Sequence, residues 1–240
     1  IKYLVGVLGL QDDVSYRFSR WDPKNPDKYV GTAEDWNRVE TAMQTILSDL
    51  GIEHSEAWGE AAFYGPKLDV QGKNVHGKDD TLFTVQIDFA LATRFDMIYI
   101  DENGEKARPI IIHRSSIGCY ERTLAMLIEK YNGAFPMWLA PEQVRVLSLT
   151  DRTCDVAKSV RDKLFDMGLR AEVDVRSEKL GKKIREAQLE KVPYILVIGD
   201  KEAEQNVVAV RHRTDGDLGV MSVDDFAKLA LMEVATKQIK

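Results

Sequence analysis

The stretch from Pro109 to Arg122 combines residue types that could together bind an anionic group. Three isoleucines, Ile110 to Ile112, are β-branched and lie between a proline and a pair of serines, which predicts a short strand. After the serines the apolar residues recur at helical spacing, so we expect a helix over residues 117–131. Gly118 would lie in the first turn of that helix, where its missing side chain lets another backbone or a ligand approach closely.

Arg122 lies four residues after Gly118 and therefore on the same side of the predicted helix, one turn further on. The first turn of a helix presents free backbone N–H groups and the positive end of the helix dipole. A guanidinium at this place could hold a phosphate through two hydrogen bonds. The alternative is an amphipathic helix that packs on a sheet, with Arg122 merely paired to an acidic side chain, and the residues alone favour that alternative.

A second polar set lies on the clearest strand pattern of the chain, residues 81–91. Apolar side chains alternate there with Thr84, Gln86 and Asp88, which predicts one apolar and one polar face. The polar face lacks the lysines and glutamates of a generic solvated sheet, so it is a candidate lining of a cleft. An ordinary solvated face is the alternative, and the sequence leaves the two interpretations open.

A third set is the stretch from Arg176 to Lys191, which holds six basic residues and three glutamates. The local charge of +3 contrasts with a formal net charge of −6 for the whole chain. Contact with a nucleic-acid backbone is one interpretation. A solvated helix face with internal Glu–Lys pairs is the other, and charge alone favours it.

The composition is that of an ordinary globular protein, with 44% hydrophobic and 30% charged residues among 240. The negative net charge argues against a nucleic-acid binder that works through bulk charge. Cys119 and Cys154 are the only cysteines and form no CxxC pair, so we expect no disulfide framework. We therefore expect the protein to lie in the reducing cytosol. The chain has no run of about 18 apolar residues, so no membrane span is expected.

We expect two domains, residues 1–135 and 136–240, separated where the segment 133–141 breaks the periodicity. The first reads as an α+β unit in which an antiparallel meander leads into one helix. Its predicted strands are 16–19, 68–71, 81–91, 94–101 and 108–113, with helices at 33–50 and 117–131 and a favoured hairpin turn at Asn103-Gly104. The second domain alternates strands and helices, which predicts an α/β unit with parallel strands. Its predicted strands are 144–149, 169–175, 192–198 and 207–213, with helices from about 153, 177 and 223.

Several motifs follow one another along the chain in a fixed order. They are Phe63-Tyr-Gly-Pro-Lys67, Thr84-Val-Gln-Ile-Asp88, Ile112-His-Arg114, Gly118-Cys-Tyr-Glu-Arg122, Ala134-Phe-Pro-Met-Trp-Leu-Ala-Pro141, Glu178-Lys-Leu-Gly181, Lys183-Ile-Arg-Glu186 and Gly199-Asp-Lys-Glu202. In this order and spacing they resemble the bacterial threonyl-tRNA synthetases, from about Tyr16 to the C-terminus. The motif that ends at Lys67, together with His113, is similar to the threonyl enzymes within the class II group.

The resemblance implies part of a class II catalytic domain with an antiparallel sheet, followed by an anticodon-binding domain of the α/β type with a mixed sheet. It implies that the parent protein activates L-threonine with ATP and Mg and then transfers threonine to tRNA(Thr). It also implies a zinc-containing, cytoplasmic homodimer that does not associate with a membrane.

The resemblance further assigns roles to single residues. Arg122, Lys67 and Gln86 are the implied catalytic residues, with Arg122 on an ATP phosphate. The implied pocket for threonine and ATP is lined by Tyr64, Lys67, Thr84, Gln86, Asp88, Gly118, Cys119 and Arg122. His113 matches a ligand of the family's zinc ion, which binds the amino and hydroxyl groups of threonine and so helps to exclude valine. The implied anticodon-binding residues are Arg176, Glu178, Lys179, Arg185, Lys191, Glu202 and Arg211.

In the family, the first two class II signature motifs and two further zinc ligands would precede Ile1. We therefore expect a fragment that does not activate threonine alone and does not bind zinc tightly, because a tight zinc site needs three or four ligands. Cys119, Ser177 and Lys191 depart from the residues common in the family. Two alternatives are open: a non-catalytic relative that binds RNA through its second domain, and a sister synthetase with another specificity.

Overall fold

The computed structural model describes residues 1–239, which form two compact units, Ile1–Met126 and the chain from Leu127 onwards. The helices of the first part are α1 (Lys2–Val7), α2 (Ala33–Asp49), α3 (Leu91–Arg94) and α4 (Tyr120–Tyr131). Its strands are β1 (Val14–Arg20), β2 (Ser55–Trp58), β3 (Lys67–Lys73), β4 (Asp79–Asp88), β5 (Tyr99–Ile100), β6 (Lys106–Ala107) and β7 (Ile111–Arg114). None of the helices in residues 1–239 is both long and apolar enough to cross a bilayer.

The second part of the chain alternates strands and helices, as its sequence pattern predicted. Its elements are β8 (Val144–Ser148), α5 (Cys154–Asp166), β9 (Ala171–Asp174), α6 (Leu180–Leu189), β10 (Tyr194–Ile198), α7 (Asp200–Gln205), β11 (Val207–His212), β12 (Gly216–Ser222) and α8 (Val223–Thr236). The sequence analysis missed α7 and β12, which are a short helix and a mostly exposed strand.

The first sheet has the strand order β2-β1-β3-β4-β7. The predicted antiparallel pairing is confirmed for β1, β3, β4 and β7, whereas β2 adds a parallel edge strand beside β1. The sequence did not reveal β2, because its four residues are mostly exposed and show no alternation of apolar and polar side chains.

Helix α2 covers the apolar face of this sheet. Thr32 caps the helix, since its side chain accepts a hydrogen bond from the Asp35 amide while the Asp35 carboxylate accepts one from the Thr32 amide. The buried side chains of α2 and of the strands form one cluster: Phe18, Val39, Met43, Leu47, Leu68 and Ile87. This packing leaves the opposite face of the sheet free of α2.

Two strand predictions in the first unit are wrong in part. Strand β4 ends at Asp88, because the Asp88 carboxylate accepts hydrogen bonds from the amides of Ala90 and Leu91 and turns the chain into α3. Residues 94–101 therefore do not form one strand, and only the short β5 lies there. The hairpin between β5 and β6 is confirmed, but its loop spans residues 101–105 rather than two residues.

Helix α4 begins at Tyr120 and not at residue 117. Of the apolar and aromatic residues at helical spacing, Tyr120, Leu124 and Ile128 are exposed. The side chains that α4 buries are Thr123, Met126 and Leu127. The apolar spacing therefore predicted the helix, but of the residues at that spacing only Leu127 is buried.

The second sheet has the order β12-β11-β10-β8-β9, in which β10, β8 and β9 are parallel and β11 and β12 are antiparallel. This confirms the predicted mixed sheet. One face contributes to a large cluster with Leu164 of α5 and Phe226 of α8. The other face packs against α6 through a cluster that includes Leu147, Ala187 and Ile195. Helices α5 and α6 therefore lie on opposite faces of the sheet.

We predict that Thr32→Ala destabilises the first unit by about 1 kcal/mol, because it removes the Thr32 hydroxyl, which accepts a hydrogen bond from the Asp35 amide and donates one to the Asp35 carboxylate. Urea unfolding followed by circular dichroism would measure the change. Thr45→Ala is the matched control, since Thr45 is exposed inside α2 and its hydroxyl only bonds back to the Thr41 carbonyl. Equal stability of Thr32→Ala and the wild type would contradict the prediction.

Candidate functional site

Four polar side chains stand in register across the first sheet, on the face that α2 does not cover. Ser19 pairs with Lys67, Lys67 with Gln86, and Gln86 with His113 in adjacent strands. Because neighbouring strands are about 4.8 Å apart, this row spans roughly 15 Å. Three of its members are residues to which the family resemblance gave a role.

A second row lies beside the first and centres on Asp69, which pairs with Arg17 on one side and Thr84 on the other. The Asp69 side chain is only 1% exposed and accepts four hydrogen bonds or ion pairs. Its oxygens lie 2.9 Å from Lys67 Nζ, 3.1 Å from Ser19 Oγ, 3.0 Å from Thr84 Oγ1 and 3.5 Å from Arg17 Nη2. The buried carboxylate thus joins the two rows.

Asp69, Arg17 and Ser19 were not among the predicted site residues. A signal was present, because Lys67, Asp69 and Gln71 alternate with Leu and Val along β3 and predict a polar face. Strand β3 is short, however, and its polar residues indicate a site only when their pairing with the polar residues of β4 is known.

Tyr64 and His113 lie together at one end of the first row, with ring centroids 5.7 Å apart. The Tyr64 hydroxyl donates to Gln86 Oε1 at 2.6 Å, and His113 Nε2 lies 2.8 Å from Asp88 Oδ2. Burial, together with the charge of Asp88, raises the pKa of Tyr64 above its ordinary value, so the phenol remains a hydrogen-bond donor at neutral pH. Asp88 itself is fully buried, and its carboxylate orients the His113 ring.

Arg122 lies near the start of β4, where its Nη1 donates to the Thr81 carbonyl at 2.6 Å. The Thr81 hydroxyl in turn accepts from Gln71 Nε2 at 2.6 Å, so the polar face continues towards the guanidinium. The partner of Arg122 is thus a carbonyl and not the acidic side chain of the alternative interpretation. The exposed Cys119 thiol donates to Glu121 Oε2 at 3.0 Å.

Gly118 precedes α4 by two residues and is not part of its first turn. Its φ of +71° lies in the left-handed region, and a Cβ atom there would lie 1.7 Å from the Leu82 carbonyl oxygen. The glycine is therefore required by a close approach of two backbone segments, which was one of the two predicted reasons for it.

The described residues do not build a metal site by themselves. No group of three His, Cys, Asp or Glu side chains within residues 1–239 could hold a metal ion. His113 is a single candidate ligand whose Nε2 already contacts Asp88. Since a tight zinc site needs three or four protein ligands or equivalents, this chain alone does not fit a bound zinc ion.

In the second unit, Arg176 lies just after β9 and is fixed by two acidic side chains. Its Nε and Nη2 atoms donate to the two Asp174 oxygens at 3.0 and 2.6 Å, and Nη2 also donates to Glu186 at 2.6 Å. Hydrogen bonding to this guanidinium lowers the pKa of Asp174 below its ordinary value. About half of the Arg176 side chain remains exposed, so it can still meet a ligand.

The remaining predicted anticodon residues differ in how strongly the protein already engages them. Glu178 pairs with Lys182 at 2.6 Å, as the alternative interpretation of Glu–Lys pairs predicted. Glu202 accepts a hydrogen bond from the Gly199 amide at 2.9 Å and so caps α7. The Lys191 ammonium contacts the Asn132 carbonyl, and Arg211 lies 4.0 Å from Asp217.

Lys179 and Arg185 are the two predicted residues with the most available charge. Both are exposed, Lys179 at the N-cap of α6 and Arg185 within that helix. Within residues 1–239 neither side chain takes part in an ion pair or hydrogen bond. Together with Arg176 they are the exposed cations with the most charge available to a ligand in this part of the chain.

Lys183 differs from the other basic residues of its stretch. The sequence analysis counted it in the local charge of +3 as a residue for phosphate contact or solvent, but its side chain is only 2% exposed. Helix α6 directs it towards the ends of β8 and β9, where its ammonium bonds to Ser148 and Asp174. The net positive charge that a ligand can reach in residues 176–191 is therefore smaller than the sequence suggested.

We predict that Asp69→Asn lowers the free energy of unfolding by about 2–3 kcal/mol, because it removes a buried charge that Lys67 and Arg17 share. Urea unfolding at neutral pH would measure the loss. Asp96→Asn is the matched control, since Asp96 is 87% exposed and its ion pair with Arg108 lies in solvent. A loss equal to that of the control would contradict the role of Asp69.

We predict that Asp174→Asn destabilises the protein at about pH 7 and that the difference from wild type narrows as the pH falls through 3.8 and below it. The sign follows from the lowered pKa of Asp174, whose ordinary value is 3.8: the carboxylate stabilises the folded state above that value, and the contribution is lost as the pH falls further. Urea midpoints across this range would test it. A difference that does not depend on pH would contradict the prediction.

Two families match separate parts of the chain. The tRNA synthetase class II core domain (G, H, P, S and T) matches residues 29–131, and the Anticodon binding domain matches residues 143–232. Lys67, Gln86 and His113 of the polar sheet face lie within the first match, whereas Arg17 and Ser19 of β1 precede it. The edge around Arg176 lies within the second match. The two matches therefore agree with the fold of each unit.

Individual relatives extend the similarity to nearly the whole chain. Threonine--tRNA ligase of Clostridium botulinum (strain Eklund 17B / Type B) is 61% identical over 238 residues, which are 99% of this chain and 37% of that protein. The corresponding ligase of Clostridium perfringens (strain SM101 / Type A) is 57% identical over the same shares. This chain thus spans little more than a third of the length of these curated relatives.

A solved structure supports the same relationship. The RNA binding domain of Threonyl-tRNA synthetase from Cryptosporidium parvum Iowa II has a TM-score of 0.88 and 32% identity, and the match covers 97% of this chain and 57% of that one. The fold and the relatives agree with the motifs from Lys67 to Glu202. The chain is therefore similar to threonine–tRNA ligases over nearly its whole length, and it contains a class II core portion followed by an anticodon-binding domain.

Proposed function

We propose that this chain supplies part of a threonine–tRNA ligase, which activates L-threonine with ATP and then transfers the threonyl group to tRNA(Thr). The observation that carries the proposal is the register of Lys67, Gln86 and His113 across three strands, with Tyr64 against the last two. This arrangement places donors and acceptors for a small polar amino acid on one rigid sheet.

The roles follow from the chemistry of each group. Adenylate formation releases pyrophosphate, so cationic donors near the phosphates stabilise the charge that develops in the transition state. We assign this role to Lys67 and Arg122, with ATP and Mg as the nucleotide substrate. Gln86 and Tyr64 would hold the polar atoms of threonine, and Thr84 lines the same face.

Zinc enters this proposal only through the full-length protein. His113 would contribute one ligand to a zinc ion, with Asp88 holding its ring in place. The ion would discriminate threonine from valine through the hydroxyl group. Since this chain offers one candidate ligand, we derive no catalytic step from the metal here.

The second unit would bind the anticodon loop of tRNA(Thr). Single-stranded RNA loops are recognised by side chains that meet splayed bases and by cations that meet phosphates. Arg176, Lys179 and Arg185 are exposed cations in or next to α6, and their charges suit this task. We place the functional boundary between the two activities near residue 135, and we expect the full-length ligase to be a cytoplasmic homodimer.

ATP–pyrophosphate exchange with threonine tests the catalytic proposal. In the full-length protein we predict that Lys67→Met lowers the exchange rate by at least about 100-fold, the loss typical of one transition-state donor. Lys73→Met is the matched control, since Lys73 is exposed at the other end of the same strand. The 240-residue chain alone should show no exchange.

Three results would contradict this account. Equal exchange by Lys67→Met and the control would remove Lys67 from the reaction. Exchange by the chain alone would show that it needs no further segment. Absence of exchange by the full-length protein, with tRNA binding retained, would indicate an RNA-binding relative instead.

A further inference from the structure

Lys183 is a fully buried cation at the edge of the second sheet. Its Nζ donates to the Ser148 carbonyl at 2.9 Å, to the Asp174 carbonyl at 3.2 Å and to the Ser148 hydroxyl at 3.4 Å. An ammonium group has three N–H donors, and these three acceptors satisfy all of them. The side chain therefore cannot contact RNA in this arrangement.

The two carbonyls belong to the last residues of β8 and β9, which are neighbouring parallel strands. Lys183 thus ties together the points at which the chain leaves these strands. Burial of a charge is costly unless it is paired, and the Asp174 carboxylate, 3.9 Å from Nζ, supplies the opposite charge. The end of β9 is consequently fixed by Lys183 through both the backbone and the side chain of Asp174.

Asp174 in turn holds the Arg176 side chain in place. Its carboxylate accepts from the Arg176 amide at 3.0 Å and from Nε and Nη2 of the guanidinium. Within residues 1–239, Arg176 Nη1 has no hydrogen-bond partner, so its two donors are available to a ligand. The bonds of Nε and Nη2 to Asp174 hold the guanidinium in one orientation, and Nη1 remains available to a ligand.

We propose that Lys183 is a positioning residue for tRNA binding, which acts through Asp174 to aim the Arg176 guanidinium at a phosphate of the anticodon loop. This inference rests on the proposed function, because it presumes that Arg176 contacts RNA. It separates Lys183 from Lys179 and Arg185, whose exposed charges can meet the RNA directly. Without this support the Arg176 side chain would be less ordered before binding. Ordering it on binding would cost free energy, so the affinity for RNA would fall.

The test measures binding of a tRNA(Thr) transcript to the chain at several salt concentrations. We expect Arg176→Ala to raise Kd about tenfold, as for the loss of one charge-assisted hydrogen bond. Lys183→Met should raise Kd by a similar factor and lower the salt slope by the same amount, about 0.7 for one contact to a single strand. The double variant should bind no more weakly than Arg176→Ala alone, since both changes remove one interaction.

Two control variants separate positioning from general effects. Lys158→Met removes an exposed lysine from α5, on the opposite face of the sheet, and should leave Kd unchanged. Val160→Ala loosens the core below α5 and tests whether lost stability alone weakens binding. If Lys183→Met does not fold, Lys183→Gln retains an N–H donor for one of the carbonyls and should show a smaller increase in Kd.

The outcomes distinguish the inference from the proposed function. Failure of the wild-type chain to prefer the tRNA(Thr) transcript over a transcript with another anticodon would contradict the proposed function. Preference by the wild type, with unchanged binding by the folded Lys183 variants, would overturn the inference alone. Additive losses in the double variant, or no loss in Arg176→Ala, would also overturn it.

Discussion

The buried carboxylate of Asp69 is the interaction on which the polar sheet face depends. A charge in this position is stable only because Lys67, Arg17, Ser19 and Thr84 surround it with donors. The same contacts fix the Lys67 ammonium, which would otherwise sample many rotamers. The antiparallel register then places Gln86 beside this fixed group, so one buried acid organises a surface spread over several strands.

The second unit also depends on a buried charged group, which lies at the ends of two parallel strands. The Lys183 ammonium donates hydrogen bonds to the carbonyl groups of Ser148 and Asp174, the last residues of β8 and β9. Asp174 balances that buried charge and at the same time holds Arg176. In both units a buried carboxylate holds a more accessible cation in place: Asp69 holds Lys67, and Asp174 holds Arg176. This is the arrangement that a site needs if its charged group must keep one orientation before the ligand arrives.

The sequence predicted what depends on local pattern: the alternation of apolar and polar side chains in β4 and the alternation of strands and helices in the second unit are confirmed. The errors concern features that depend on tertiary packing. In α4 the apolar spacing did not show which side is buried: Thr123 is buried and Tyr120 is exposed. Lys183 was counted as a surface charge, because spacing alone does not show that α6 directs it inwards. Asp69 was missed since its partners lie up to 52 residues away in the chain.

A crystal structure of the full-length protein with a non-hydrolysable threonyl-adenylate analogue would test the central claim most directly, which is that the first sheet binds the reacting groups. The account predicts the amino acid moiety beside Tyr64 and Gln86, with the phosphate of the analogue within hydrogen-bond distance of the Lys67 or Arg122 side chain. An analogue bound away from this face, with the Lys67–Asp69 pair undisturbed and no contact to Gln86, would contradict it.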